Sequence, residues 1–256
     1  MKKNAPAVSE HLYQTLHELK DLDILKSFYL IGGTNLALRF KHRISVDIDL
    51  SSEEEISKED LKEIFEIVKS KYPEKEVTAT IKDEKEVYYM SIEIFDENEK
   101  VKVDLIGDVP LLNPTEKVGG IPMASVEDIA LLKLLAITDR TTQKDIYDLD
   151  AITDRIPLIK IYNLAKKKDK LLEHRGPGFF ESGKSRSVVT TPEDLLTFLD
   201  YGLNDASNDD LDYIDNPKMW EDAVEGWTKK VHELYKQIGF DYKTYSFIND
   251  DGGPKK

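Results

Sequence analysis

The chain has 256 residues, enough for one large domain or two small ones. Its 34% charged residues and formal net charge of −14 exclude a protein that coats nucleic acid through a general positive field, while leaving room for a local basic patch. With no cysteine, no apolar run near the ~20 residues of a membrane span and no apolar core behind Lys2-Lys3, the expectation is a protein without disulfides, thiolate metal sites or signal peptide, placed in the cytoplasm.

In chain order, residues 9–26 read as a helix with Leu12, Leu16, Leu19, Leu22 and Ile24 on its apolar stripe. A short apolar strand at 28–31 runs into Gly32-Gly33-Thr34 and then a helix over 35–40. The basic turn Lys41-His42-Arg43 leads to a second short strand ending in Asp47-Ile48-Asp49. A further helix is predicted after Ser57, its N-cap, with Asp60 three positions on. Leu61, Ile64, Phe65 and Val68 form its inner face, and Tyr72-Pro73 ends it. Strands at 76–81, 87–95 and 101–106, with turns at Asp83-Glu84 and at 96–99, predict an antiparallel meander.

Pro110, Pro114, Gly119-Gly120 and Pro122 mark a boundary, which divides the chain into 1–120 and 121–256. Beyond it the pattern turns helical. Ser125 to Asp128 resembles a capping box, with Ile129, Leu132, Leu135 and Ala136 at helical spacing. Helices over 142–153 and from Pro157 to about Leu172 follow. Gly176-Pro177-Gly178 and Gly183 break the chain, Thr191 to Asp194 starts a helix, 218–237 forms a long last one, and the tail after Asp250 is expected to be disordered. Charge is uneven: residues 160–186 hold eight basic and three acidic side chains, residues 193–225 one basic and eleven acidic. The fold class is α+β, a mixed sheet flanked by helices and followed by a mainly helical half.

Acids at i and i+2 on a strand point to the same side. Asp47 and Asp49 therefore form an oxygen-rich pair suited to Mg²⁺, which takes one or two carboxylates plus phosphate oxygens. Gly32 and Gly33 let backbone approach a ligand closely, and the helix start after them offers unpaired N–H groups to a phosphate. Thr34 serves as N-cap or as a phosphate contact, and Ser45 shares the face of the two acids. Lys133, set among leucines, calls for an anion or a snorkelling path. Asp145 and Asp148 lie on one helical face, placed to orient Lys133 or Arg140 or to form a surface ion-pair ladder. Arg39, Lys41, His42 and Arg43 form either a solvated loop or a contact for acceptor or triphosphate. Lysines of 160–186, with Phe179 and Phe180, could grip RNA phosphates and stack a base, or form a wet helix face. His11, His17, His174 and His232 show no metal-ligand spacing.

Gly32-Gly33-Thr34, followed by His42-Arg43-x-Ser45-x-Asp47-x-Asp49-Leu50, resembles the signature of the AbiEii-type nucleotidyltransferase toxins, a branch of the polymerase-beta-like superfamily. Lys133 to Ala136, Arg140, Lys144-Asp145 and Asp148-Leu149 resemble that family's second motif, and the resemblance spans about residues 28–153. It implies a nucleotidyltransferase-like fold with NTP and Mg²⁺ as ligands, a cognate antitoxin as partner, and a role in a toxin–antitoxin or phage-defence pair. The implied reaction moves NMP from an NTP to an acceptor hydroxyl of RNA, tRNA foremost, or of a protein. Asp47, Asp49 and a third carboxylate, Asp104 or Asp108, would hold metal. Lys133 and Asp148 would be catalytic, and Gly32, Gly33, Thr34, Ser45, Lys133, Arg140 and Asp145 would bind nucleotide. An antitoxin-like enzyme that modifies a partner toxin, and a catalytically silent nucleotide- or partner-binding module, are the alternatives.

Overall fold

The computed structural model describes residues 6–84, 87–96, 99–173, 187–203, 211–214 and 217–242; His174, Phe179, Phe180 and the tail after Asp250 lie outside them. The chain divides into two units: residues 1–129 with 174–183 and 211–217, and residues 130–173 with 184–210 and 218–256.

The first unit is built on one seven-stranded sheet. Its strands are β1 (Tyr29–Ile31), β2 (Asp47–Ser51), β3 (Glu76–Glu84), β4 (Val87–Phe95), β5 (Lys100–Ile106), β6 (Glu116–Val118) and β7 (Ile121–Met123). They lie in the order β3-β4-β5-β2-β1-β7-β6. β2 pairs in parallel with β5, and β1 with β7; the other pairings are antiparallel, including the expected β3-β4-β5 meander. Helices α1 (Glu10–Lys20), α2 (Gly32–Phe40) and α3 (Lys58–Lys71) complete this part.

Side-chain alternation makes the sheet two-faced. Ile48, Leu50, Met90, Ile92, Ile94, Val103 and Leu105 are buried, and they join Leu16 and Leu19 of α1 and Leu61, Ile64 and Val68 of α3 in one core. Asp47, Asp49, Ser91, Glu93, Lys102 and Asp104 alternate with them and so occupy the other face. α3 begins as its sequence predicts: Ser57 Oγ accepts the Asp60 N–H at 3.1 Å while the Ser57 N–H reaches the Asp60 carboxylate at 3.0 Å.

Several boundaries differ from expectation. α1 ends at Lys20 rather than Lys26, because Leu22 turns extended and Asp23–Leu25 forms a 3-10 turn. Lys20 Nζ then donates to the carbonyls of Leu25 and Phe28, and the reversal lets both side chains bury. β2 starts at Asp47, since pairing with β5 runs on to Ser51 opposite Ile106. Asp83 and Glu84 belong to β3, extended by pairing with Tyr88 and Val87. The expected boundary near residue 120 is the tip of the β6-β7 hairpin. There Gly119 (φ 57°) and Gly120 (φ 87°) both adopt the left-handed conformation that a two-residue type I′ turn requires. Three-residue strands, one containing Pro122, carry too little alternation to announce themselves.

In the second unit, α4 (Val126–Asp139) enters across the Ile129–Ala130 border. α5 (Gln143–Thr153), α6 (Leu158–Leu172), a 3-10 turn (Pro192–Leu196), α7 (Thr197–Tyr201) and α8 (Trp220–Ile238) follow. α8 packs on α5 and α6. Its Trp227, fully buried, donates Nε1–H to the Leu195 carbonyl at 3.0 Å. Asp150, also fully buried, accepts from the ammonium groups of both Lys218 and Lys230, and Asp154 pairs with the same two lysines. Among the described residues no helix is long and apolar enough to cross a membrane.

Two outcomes test this frame. Ile48→Ala, between the two strand acids, lowers stability by about 2–5 kcal/mol in urea titrations. Burial alone would raise the Asp154 pKa, but Lys230 and Lys218 outweigh it and hold it below 3.8. A depressed carboxylate contributes stability above its unfolded pKa and loses it as pH falls through the folded one. The urea midpoint therefore drops below pH 3.8 more steeply in the native protein than in Asp154→Asn.

Candidate active site

β2 lies at the centre of the first unit's sheet, and its register assembles the acids. Asp49 pairs with Asp104 of β5 and Asp47 with Lys102, so all four side chains project from one face. Asp108 lies beyond the end of β5, at φ 56°, out of register with β2; Asp104 is the carboxylate that the sheet sets beside Asp49. Lys102 Nζ is 2.7 Å from Asp104 Oδ2. Burial by itself would lower the Lys102 pKa, but the hydrogen bond and charge of Asp104, then the charges of Asp47 and Asp49, hold the ammonium above its ordinary value of 10.5. One lysine thus sits in the field of three carboxylates.

The diglycine closes on the same acids. Gly32 starts α2 at φ 72°, and a Cβ there would stand 2.0 Å from Asp49 Oδ2. A Cβ on Gly33 would stand 2.3 Å from Arg43 Nη2 and 3.1 Å from Ser45 Oγ. Only glycine lets the helix start this close to β2. Thr34 does not cap the helix; its hydroxyl donates to the Asp47 carbonyl and accepts from the Ser45 hydroxyl at 3.0 Å, and no side chain caps α2. The first N–H groups of the helix therefore have no side-chain cap, as a phosphate seat requires. Asn35 anchors the assembly, donating to the carbonyls of Leu30 and Ala124 at 2.8 and 3.0 Å.

The basic turn resolves into separate roles. Arg43 is not a solvated loop residue: it is 3% exposed, lies under Gly33, and donates to the Ile44 carbonyl at 3.0 Å. Arg39 is tied to Glu116 at 2.7 Å and to Asn35 at 2.9 Å, so its charge joins α2 to the β6-β7 hairpin. Lys41 is exposed and left-handed at the end of α2. Ring contacts occupy His17 with Tyr13 and His232 with Tyr235.

The second unit holds the other cluster. Lys133 of α4, 13% exposed, bridges Asp145 at 2.8 Å and Asp148 at 2.9 Å, both on α5 and nearly or fully buried. Thr142, the α5 N-cap, donates its hydroxyl to Asp145 Oδ2 at 2.8 Å. These three predicted residues are brought together, whereas Arg140 is exposed just past the end of α4.

Lys102 and the burial of Arg43 were missed in the sequence. The alternation Lys102-Val103-Asp104 did carry the first signal, since it puts Lys102 on the face of Asp104.

Oxygen donors only, a close backbone cradle and a lone pair of adjacent strand acids fit Mg²⁺. Among the described residues no group of three or more His, Cys, Asp or Glu side chains is placed to hold a metal ion. The family model for the nucleotidyl transferase AbiEii toxin of type IV toxin–antitoxin systems matches residues 15–233. The chain belongs to this family. It is a nucleotidyltransferase, and the match extends through the helical half, well past the two motifs. An uncharacterized protein of Aquifex aeolicus (strain VF5) is 29% identical over 233 residues, covering 86% of this chain and 94% of that protein. Among solved structures, MenT4, a nucleotidyltransferase toxin from Mycobacterium tuberculosis H37Rv, is similar at TM-score 0.49 and 16% identity, covering 91% of this chain and 84% of that one. The Megavirus polyadenylate synthase is similar at TM-score 0.41 and 15% identity, covering 62% and 36%.

The two glycines respond differently to alanine. Gly32→Ala is strained at φ 72° and collides with Asp49, so it lowers the melting temperature by several degrees, a cost above ~1 kcal/mol. Gly33→Ala meets the far end of the Arg43 side chain, which can move, and costs less by the same measurement.

Proposed function

We propose that this family member is a Mg²⁺-dependent toxin that moves NMP from an NTP to an acceptor hydroxyl on RNA, tRNA foremost, and that a cognate antitoxin restrains it. The observation that carries the reading is the shared sheet face of Asp47, Asp49 and Asp104, against which the diglycine helix start is packed. The sheet-bearing unit would supply nucleotide and cation sites, and the helical unit a surface for the acceptor.

In this reading Asp47 and Asp49 hold the cation, which would supply charge neutralisation at the triphosphate. The uncapped N–H groups at Gly33 and Thr34 seat phosphate oxygens. Ser45 is held by the Thr34 hydroxyl and keeps that seat in shape. Asp104 is the third carboxylate, either completing the ligand set or taking the proton of the acceptor hydroxyl. Within the helical unit Lys133 is the basic group offered to an anion, and Asp145 and Asp148 fix its direction. The hydroxyl attacks the α-phosphate in line and pyrophosphate leaves.

Incubation of each labelled NTP with total tRNA, and separately with lysate protein, tests the assignment. Label on tRNA, abolished by EDTA, is the expected result; label on protein alone would move the acceptor to a polypeptide. Asp47→Asn and Asp49→Asn each lower transfer at least ~100-fold, as loss of several kcal/mol of charge stabilisation demands, with the melting transition retained.

A further inference from the structure

Lys102 lies on the carboxylate face and belongs to neither motif. Its Nζ hydrogen-bonds Asp104 Oδ2 at 2.7 Å, and its register partner across the parallel pairing is Asp47. Asp49, next on that face, pairs with Asp104. Three carboxylates on neighbouring strands repel one another unless a cation lies among them. In this structure an ammonium of the chain, that of Lys102, is bound to one of them, Asp104, within the field of the other two. An ammonium has three donors and no lone pair, so it can take up carboxylate oxygens but cannot join a metal's ligand shell. Its side chain is 40% exposed and on a flexible four-carbon stem, so it can swing away when a stronger cation arrives.

We propose that Lys102 is a built-in counter-cation and positioning residue, which holds Asp104 beside Asp47 and Asp49 before metal binds and competes with the divalent cation for that carboxylate. The inference rests on the metal assignment of the preceding section and goes beyond it by naming what the incoming cation must displace. It has two consequences. The carboxylates stay assembled without metal, so the face is preformed. The affinity for the cation alone is held down, because entry breaks the Lys102–Asp104 pair. A triphosphate, which brings further negative charge, gives the displaced ammonium a new partner and so couples cation entry to nucleotide arrival.

Isothermal titration of the full chain with MnCl₂, without nucleotide, tests this, with melting temperatures recorded in EDTA. In Lys102→Met, which keeps length and apolar bulk but removes the charge, Mn²⁺ affinity rises about fivefold to tenfold, the size expected for one partly screened charge at close range. The melting temperature in EDTA falls, because Asp104 then loses its ammonium partner, and the rise produced by Mn²⁺ grows. Lys102→Arg, which keeps the charge, stays within about twofold of the native affinity on the same electrostatic argument. Unchanged or weakened Mn²⁺ binding in a folded Lys102→Met would overturn the proposal while leaving the metal assignment intact. If the native protein binds no Mn²⁺ and Asp47→Asn behaves identically, both fall together. Should Lys102→Met fail to fold, Lys102→Gln carries the same comparison.

Discussion

The contact on which the site depends is the approach of Gly32 to Asp49. A helix that starts from the end of β1 would ordinarily keep a side chain's distance from the neighbouring strand. Here the missing Cβ, at a left-handed backbone angle, lets the helix start settle onto the strand carboxylate, and Gly33 does the same over the buried Arg43. Thr34 and Ser45 then close the space between helix and strand by hydrogen bonding. The consequence is chemical: uncapped helix N–H groups, which attract anions, lie beside acids, which attract cations. A metal–triphosphate complex satisfies both at once, whereas a free phosphate or a free cation satisfies only one.

The rest of the first unit serves that contact. The sheet spends its apolar residues on one face, against α1 and α3, and leaves the other face to Asp47, Asp49, Lys102 and Asp104. Burying Ile48 and Leu50 between and beyond the two acids fixes their direction, since a one-residue slip of β2 would turn the carboxylates into the core. The second unit keeps a polar group of its own in a similar way. Lys133 is tolerated within an apolar helix because Asp145 and Asp148 compensate it, and the same rule, applied to Asp150 with Lys218 and Lys230, joins α5 to α8.

Much of this was legible in the chain, for identifiable reasons. Elements with caps and a full period were readable: α3 from Ser57 and Asp60, α5 from Thr142, and the meander from its alternation. The pairing of Asp47 with Asp49 follows from strand geometry alone. What the sequence concealed were contacts between segments far apart in the chain. Parallel pairing of β2 with β5 sets Asp104 rather than Asp108 beside Asp49, and no local pattern encodes that register. Arg43 looked like part of a solvated basic turn because burial under Gly33 is a tertiary event. The β6-β7 hairpin is hard to read from the sequence because two glycines punctuate a turn and a linker alike.

The central claim is that one metal–nucleotide complex engages both the strand acids and the diglycine helix start. A crystal structure with Mn²⁺ and a non-hydrolysable NTP analogue tests it most directly through the anomalous signal of the metal. The account expects that signal within ligand distance of Asp47 and Asp49, with phosphate oxygens at the N–H groups of Gly33 and Thr34. Metal and triphosphate bound away from β2, with that strand's carboxylates untouched, would contradict it.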